Sequence, residues 1–200
     1  MKLGAVILAG GQSTRMGRDK AWLEANGQSL ILRAASTIRA LGIKELFVSG
    51  RAGVDYSSLG CPVLLDLDPG LGPLAGIERA LEALEAALLL VLAVDLPGMT
   101  TPFLRKLTTR CTPLTGAVPM LGGDLEPLAA VYPKRCHAIA VDCITQGRRA
   151  AKDFALACLN EQAVRPFVVA PSDAPCFANW NCPSDVPTGT VGAYQGMRVL

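Results

Sequence analysis

Residues 3–9 form a continuous apolar run that contains Val6 and Ile7 and stops at the glycine pair Gly10-Gly11. A run of this length with β-branched members predicts a strand buried on both faces, as in parallel sheets. Further along the chain, similar runs alternate with stretches whose apolar residues recur at helical spacing. Because parallel strands need crossover connections, this alternation predicts an α/β fold. We expect a three-layer α/β/α, Rossmann-like domain with a mostly parallel central sheet.

The patterning also predicts where the individual elements lie. Strands are predicted at 3–9, 45–49, 62–65, 88–94, 115–119, 126–132 and 164–170, and helices at 29–41, 73–87, 101–109, 134–143 and 148–159. Residues 88–94 are expected to be the most buried strand. We expect one domain over 1–185 and a flexible tail over 186–200, where Gly, Pro and Thr are frequent. Ligands of such sheets bind at the carboxyl ends of the strands, so the functional site is expected there.

Composition narrows the classes of function. The chain is 50% hydrophobic and 18% charged, with a formal net charge of +2, which indicates a compact globular protein. The weak basic excess and the 5% aromatic content argue against nucleic acid as a partner. The 7 cysteines are irregularly spaced and include no CxxC pair, so we expect reduced thiols in a cytoplasmic protein. Since no apolar run approaches the roughly 20 residues that span a bilayer, a membrane is not an expected partner either.

The segment after the first predicted strand carries the strongest chemical signal. Gly10 and Gly11 allow backbone N–H groups to approach an anion closely. Arg15, Arg18 and Lys20 add positive charge to the same loop. The combination predicts a cradle for a triphosphate, and the alternative is a surface turn. The loop lacks the Gly-Lys-Ser/Thr ending of a P-loop, and the chain contains no GxGxxG, so ATPase and dinucleotide-binding interpretations are disfavoured.

Aspartates follow two of the predicted strands. Asp95 comes directly after the strand at 88–94, so its carboxylate is expected at the carboxyl edge of the sheet. Mg²⁺ prefers one or two carboxylates together with phosphate oxygens, and Asp95 beside a triphosphate loop would supply them. The alternative is that Asp95 caps a turn. Asp66 and Asp68 follow the strand at 62–65, where either would bind a ribose or a base or belong to an ordinary Asp-Pro-Gly turn.

Several motifs together resemble the molybdenum cofactor guanylyltransferase family, of the MobA type. They are Leu8-Ala9-Gly10-Gly11 with Arg15-Met16-Gly17 and Asp19-Lys20, then Gly72-Pro73-Leu74-Ala75-Gly76-Ile77, and then Asp95-Leu96-Pro97. Near the carboxyl end, Phe177-Ala178-Asn179-Trp180-Asn181-Cys182-Pro183 is similar to the family's Phe-x-Asn-x-Asn-Thr-Pro segment. The match runs in order over about residues 3–185.

The resemblance implies a magnesium-dependent nucleotidyltransferase that moves GMP from GTP to the terminal phosphate of molybdopterin and releases pyrophosphate. Carried over position by position, the residues for the nucleotide would be Leu8, Ala9, Gly10, Gly11, Lys20 and Asp66, and Asp95 would hold Mg²⁺. Asn179 and Asn181 would line the reaction centre. Arg15 and Lys20 would neutralise phosphate charge. The implied partners are GTP and molybdopterin, with transient contacts to molybdoenzymes or other cofactor-biosynthesis proteins.

The chain departs from the family pattern at three positions. Ser49 stands where the family tends to have Asn, and Cys182 replaces the usual Thr. Glu126 precedes Pro127 where several relatives have other polar residues. The departure at Ser49 falls on a nucleoside contact of the family, whereas those at Cys182 and Glu126 touch no proposed phosphate or metal ligand.

Rival functions remain open from the residues alone. They are a cytidylyltransferase for the same pterin, a sugar-1-phosphate nucleotidyltransferase, and a non-catalytic module that binds a nucleotide or molybdopterin. The single histidine, His137, is predicted to be structural. Arg148, Arg149 and Lys152 form a basic cluster that either binds the phosphate of the acceptor or is a solvated face.

Overall fold

The structure, a computed structural model, describes residues 2–10, 20–25, 27–65 and 72–179, with the backbone alone at Lys20 and Ala25. The strands are β1 (Leu3–Leu8), β2 (Glu24–Ala25), β3 (Gln28–Ser29), β4 (Glu45–Gly50), β5 (Val63–Leu65), β6 (Leu88–Ala93), β7 (Gly116–Leu121), β8 (Asp124–Leu125), β9 (Ala129–Pro133) and β10 (Val164–Val168). The α-helices are α1 (Leu30–Arg39), α2 (Pro73–Ala83), α3 (Thr101–Thr108), α4 (Cys136–Thr145) and α5 (Ala151–Asn160). The predicted tail over 186–200 lies outside the described residues.

One sheet organises the molecule, with its strands in the order β5-β4-β1-β6-β9-β7-β10. β1 pairs in parallel with β4 and β6, β4 with β5, and β7 with β10. β9 runs antiparallel to both of its neighbours, β6 and β7. The short β8 forms a hairpin with β7. The prediction of a mostly parallel α/β sheet is therefore confirmed, and the reversed β9 is an addition to it.

Helices cover both faces of this sheet. Successive side chains of a strand point to opposite faces, and β1 shows the alternation. Ala5 and Ile7 pack in the core beneath α1 and α3, whereas Val6 and Leu8 pack beneath α2, α4 and α5. Every residue of β6 is buried, as predicted for the strand at 88–94. No helix in the described ranges is long and apolar enough to cross a bilayer.

The cysteines lie mainly inside these two layers of core. All six that the structure describes are free thiols. Cys136, Cys143, Cys158 and Cys176 are buried, and Cys61 and Cys111 are half-buried. Burial raises the pKa of the Cys111 thiol to about 11, so this thiol is protonated at neutral pH.

Helix α2 ends four residues earlier than its apolar pattern predicts, at Ala83 rather than at residue 87. The carboxylate of Glu45, at the start of β4, accepts hydrogen bonds from the backbone N–H groups of Glu85 (2.5 Å) and Ala86 (3.0 Å). These two donors are therefore used by a side chain from another element instead of by the helix. A contact between distant parts of the chain overrides the local periodicity here.

The starts of three elements also differ from the prediction. Ser29 occupies the cap position of α1, but its hydroxyl makes no capping hydrogen bond and is buried without a partner among the described residues. The predicted helix at 148–159 begins only at Ala151, because the Arg148 N–H donates to the Cys143 carbonyl (2.8 Å) and closes the preceding helix. The predicted strand at 126–132 begins at Ala129, after a turn.

A glycine in α2 brings that helix close to the carboxyl ends of the central strands. A Cβ atom at Gly76 would lie 2.3 Å from Ser49 Oγ, 2.9 Å from Ser49 Cβ and 3.1 Å from Leu8 Cδ2. Ser49 is itself buried near the end of β4. The helix therefore has no room for a side chain at this position, although a helical glycine is intrinsically unfavourable.

We expect Gly76→Ala to destabilise the protein by about 1–3 kcal/mol, because the added methyl group overpacks the contact with Ser49. This effect opposes the gain of roughly 1 kcal/mol that alanine brings to a helix. Urea unfolding followed by circular dichroism measures the difference. The matched control is Glu82→Ala on the exposed side of the same helix, with an expected change within about 0.5 kcal/mol. A Gly76→Ala protein as stable as the parent would contradict the close approach of α2.

Candidate active site

The pairing of β1 with β6 brings two of the predicted site segments to one edge of the sheet. Leu8 pairs with Ala93, at the end of each strand. The Val94 N–H then donates to the Leu8 carbonyl (3.1 Å), which extends the ladder by one step. Gly10 and Asp95 each lie two residues beyond the Leu8–Ala93 pair. Since neighbouring strands are about 4.8 Å apart, the glycine loop and Asp95 leave the sheet side by side.

The residues that lead into the glycine loop already use part of their backbone in the sheet. The Leu8 carbonyl accepts from Val94, and the Ala9 N–H donates to the Ser49 carbonyl (2.8 Å). The Leu8 side chain packs beneath α2. Gly10 is the first residue beyond these bonds and is half-buried. Leu8 and Ala9 therefore set the direction of the chain, and a nucleotide would meet their remaining backbone atoms and Gly10.

Asp95 lies half-buried in the turn that follows β6. Helix α1 is bonded to this turn, because Arg33 Nε donates a hydrogen bond to the carbonyl oxygen of Pro97 (2.8 Å). The hydrogen bond involves a charged donor and a partly buried acceptor, which makes it stronger than a neutral pair. Arg33 therefore fixes the backbone two residues beyond Asp95.

The segment that carries Asn179 packs against the same turn. A 3-10 helix, Pro171–Phe177, precedes Asn179, and a Cβ atom at Gly98 would lie 2.4 Å from the Pro175 carbonyl oxygen. A side chain at position 98 would push this helix away. Asn179 is exposed and lies four residues beyond Pro175, so the Gly98 contact brings the asparagine segment to the Asp95 turn.

Helix α3 holds the same segment along its length. Phe103 and Phe177 make an edge-to-face contact with ring centroids 5.1 Å apart. Lys106 Nζ lies 2.9 Å from a carboxylate oxygen of Asp173 at the surface. The aromatic contact is buried and the ion pair is exposed, so the aromatic contact contributes more to docking.

A magnesium ion fits the donor set at this edge. The structure describes no cluster of three or more His, Cys, Asp or Glu side chains that would enclose a metal, within residues 2–10, 20–25, 27–65 and 72–179. A single carboxylate at Asp95 suits Mg²⁺, which keeps several waters and takes phosphate oxygens from its substrate.

The basic cluster lies before and within the first turn of α5. Lys152 Nζ is 2.5 Å from Asp124 Oδ1, and both side chains are exposed. The carbonyl of Arg149 is 3.8 Å from where a Cβ at Gly72 would lie, so the cluster is close to the start of α2. Lys152 is thus tied to the β7–β8 hairpin. The assignment of Arg148 and Arg149 to an acceptor phosphate stays a prediction.

Several predicted site residues fall outside what the structure describes. These are Gly11, Arg15, Asp66 and Asn181, together with the side chain of Lys20, whose backbone starts a 3-10 turn over Lys20–Trp22. Their roles stay predictions. His137 lies instead at the start of α4, after the end of β9 that pairs with the beginning of β6. It is therefore at the opposite edge of the sheet from Asp95, where its Nε2 is 2.8 Å from Glu78 Oε1 on α2.

The chain is similar to known proteins over most of its length. The sequence profile described as MobA-like NTP transferase domain matches residues 5–158. The chain belongs to this family. A "Probable molybdenum cofactor guanylyltransferase" of Opitutus terrae is 35% identical over 186 residues, which cover 92% of each chain. A protein of the same name from Pelotomaculum thermopropionicum is 35% identical over 94% of this chain and 92% of its own.

Solved structures share the fold of this MobA-like chain. The molybdopterin-guanine dinucleotide biosynthesis protein A of Archaeoglobus fulgidus superposes with a TM-score of 0.71 at 24% identity, covering 93% of this chain and 95% of that one. The 2-C-methyl-D-erythritol 4-phosphate cytidylyltransferase of Thermus thermophilus gives a TM-score of 0.71 at 18% identity, over 93% and 96% of the two chains. At these identities the likeness establishes the fold alone.

Two residues that fix the backbone beside Asp95 in this MobA-like chain, Arg33 and Gly98, could not be recognised from the sequence. In the sequence, Arg33 is one of several charged residues of an amphipathic helix, and Gly98 belongs to an ordinary Pro-Gly turn. Neither carries a signal without the tertiary contact.

We expect Gly98→Ala to loosen the Pro171–Phe177 helix from the Asp95 turn, because the new methyl group collides with the Pro175 carbonyl. Cys176, 7% exposed in the docked segment, reports the change. Its alkylation by iodoacetamide, followed by peptide mass spectrometry of the folded protein, should become several-fold faster. The control Lys106→Met removes only the exposed ion pair, worth about 0–1 kcal/mol, and should label at nearly the parent rate. Equal Cys176 labelling in Gly98→Ala and parent would refute the contact.

Proposed function

We propose that this protein transfers GMP from GTP to the terminal phosphate of molybdopterin and releases pyrophosphate. The observation that carries the reaction type is the β1–β6 register, with the glycine loop and Asp95 leaving adjacent strands. The names of relatives that are 35% identical over at least 92% of the chain support the substrates. We place the reaction in the cytoplasm, in keeping with the free thiols of the described cysteines.

The bonds exchanged in this reaction need no protein nucleophile. An oxygen of the acceptor's terminal phosphate forms a bond to the α-phosphorus of GTP, and the bond from that phosphorus to the β-phosphate bridging oxygen breaks. The electron pair of the broken bond leaves on pyrophosphate. Both reactants are anions that repel each other, so catalysis depends on neutralising charge and on holding the groups in line.

The residues at the carboxyl edge supply these two functions. The backbone around Gly10 and Gly11 and the charges of Arg15 and Lys20 would bind the triphosphate. Asp95 would hold a Mg²⁺ ion, which when bound neutralises charge on the phosphate oxygens. Arg33 fixes the turn of Asp95 through the Pro97 carbonyl. Asn179, which follows the 3-10 helix that packs against Gly98, and Asn181 would line the reaction centre.

The choice of base is the point that the fold leaves open, because a cytidylyltransferase has the same architecture. The proposal therefore predicts a preference in solution. GTP with Mg²⁺ should raise the melting temperature more than CTP, ATP or UTP does. At about 100 times the Kd the stabilisation is about 2.7 kcal/mol, on the order of 5–10 °C for a chain of this size. A larger shift with CTP would favour a cytidylyltransferase.

The role of Asp95 gives the sharpest test of catalysis. Asp95→Asn is nearly isosteric, so the fold and most GTP binding should be kept. The lost charge weakens the binding of Mg²⁺, and we expect pyrophosphate release with GTP, Mg²⁺ and molybdopterin to fall by roughly 100-fold or more.

Two comparisons make this result interpretable. Asp142→Asn removes the same charge from an exposed position on α4 and should leave turnover near that of the parent. Circular dichroism confirms that each variant is folded. If Asp95→Asn turns over like the parent at limiting Mg²⁺, Asp95 is only a turn cap. If the parent itself releases no pyrophosphate, the protein is a binding module rather than an enzyme.

A further inference from the structure

A three-residue bulge interrupts the strand that faces β7 next to the candidate active site. In the β7–β8 hairpin, Met120 pairs with Leu125. An unbroken hairpin would place Leu128 opposite Ala117, but Val131 pairs with Ala117 instead, so three residues are extra. They are residues 126–128. Bulges are frequent beside active sites, and Glu126 is the charged residue of this one.

The sheet fixes the backbone on both sides of this bulge. The Glu126 N–H donates to the Pro119 carbonyl of β7 (2.8 Å). On the other side, the Ala93 N–H donates to the Leu128 carbonyl (2.8 Å). The bulge is therefore bonded to both neighbouring strands, and its backbone has a defined position.

A phenol in the core holds the middle of the bulge. The Tyr132 hydroxyl donates to the Pro127 carbonyl (3.0 Å). Tyr132 is completely buried, and burial raises its pKa well above the usual value, so the hydroxyl stays protonated as a donor. Support from inside the core makes Glu126 a rigidly placed residue rather than part of a loose loop.

Glu126 lies at the same edge of the sheet as Asp95. β6 and β9 are antiparallel, and the bond between Ala93 and Leu128 is the last step of their ladder. Asp95 is two residues after Ala93, and Glu126 is two residues before Leu128, so both extend beyond that step. The residues predicted to bind GTP follow β1 and β5, on the other side of Asp95. Glu126 therefore belongs to the half of the edge that is left for the acceptor.

The Glu126 carboxylate has no hydrogen-bond partner within the part of the chain that the structure describes. It is half-buried. Burial, and then the nearby Asp124 charge, raise its pKa, and attraction to Lys152 opposes them. A half-buried carboxylate on a fixed backbone, with no donor among the described residues, can accept hydrogen bonds from a ligand that brings donors.

We propose that the Glu126 carboxylate binds the pterin ring of the acceptor, through the ring N–H and exocyclic amino group of its 2-amino-4-oxopyrimidine edge. This inference rests on the proposed function. An ionised carboxylate only accepts hydrogen bonds, so its two oxygens match an edge with two donors. Guanine presents the same edge, but the place of Glu126 on the acceptor side of Asp95 assigns it to the pterin.

The test changes hydrogen-bond donors and acceptors both on the protein, at residue 126, and on the ligand, at position 2 of the pterin ring. Glu126→Gln keeps the size of the side chain but presents one acceptor and one donor. The probes are 6-hydroxymethylpterin phosphate and the corresponding lumazine phosphate, in which an oxygen replaces the 2-amino group. The parent should bind the pterin probe roughly 10- to 100-fold more tightly than the lumazine probe. Glu126→Gln should bind the pterin probe more weakly by a similar factor and lose or reverse the preference.

The nucleotide arm separates the pterin from guanine. GTP and inosine triphosphate, which lacks the exocyclic amine, are titrated into both proteins. Unchanged affinity of Glu126→Gln for both nucleotides supports the pterin assignment. A selective loss of GTP affinity would show that Glu126 binds guanine and would overturn the assignment. Glu82→Gln, the same change on the exposed end of α2, is the control and should bind all four probes like the parent.

Failure of this inference differs from failure of the proposed function. If the parent binds GTP and the pterin probe, and Glu126→Gln binds both with unchanged affinity and preference, the role of Glu126 is refuted and the proposed function stands. If the parent binds neither GTP nor the pterin probe, both the proposed function and the role of Glu126 are refuted. Melting curves of each variant show whether an affinity change reflects loss of folded protein.

Discussion

The parallel pairing of β1 with β6 determines where every other part of the candidate site lies. Its register puts Gly10 and Asp95 equally far beyond the Leu8–Ala93 pair, so the backbone proposed to bind phosphate and the carboxylate proposed to hold Mg²⁺ leave the sheet together. The same register sends Ala5 and Ile7 to one core and Val6 and Leu8 to the other. A shift of this register by one residue would turn the side chains of one strand to the opposite faces of the sheet, and it would also move Asp95 relative to Gly10. Stability and chemistry therefore constrain this pairing jointly, and Gly76 tightens it by letting α2 approach Ser49 and Leu8.

The antiparallel strand β9 determines which residues lie beside Asp95 on the side away from β1. In a wholly parallel sheet, the residues at this edge would all follow strands. Because β9 runs the other way, residues that precede a strand reach the edge here, and the bulge at 126–128 falls beside the end of β6. This edge of the sheet therefore combines segments that follow a strand with a segment that precedes one. The 3-10 helix Pro171–Phe177 brings a third segment of the chain to this edge, where its Pro175 packs against Gly98.

Features that depend on local pattern were accessible from the sequence, and features that depend on distant contacts were not. The buried run at 3–9 and the strand before Asp95 are evident from composition, and their common edge follows from parallel pairing. The direction of β9 does not, since Ala129–Pro133 is buried throughout and its pattern is the same in either orientation. The early end of α2 requires Glu45, which lies 40 residues from Glu85. Arg33 and Gly98 matter through partners 64 or more residues away, and no local periodicity records such contacts.

The order of segments along the chain has an evolutionary consequence. Everything proposed to bind the nucleotide lies before or at Asp95, whereas Glu126, the basic cluster and the asparagine segment come after it. Asp95 stands at the junction of these two consecutive stretches. Under the proposed assignment, substitutions or insertions in the second stretch would alter the contacts to the acceptor and leave those to the nucleotide in place. One fold can host different functions when the residues that carry them change and the architecture is kept.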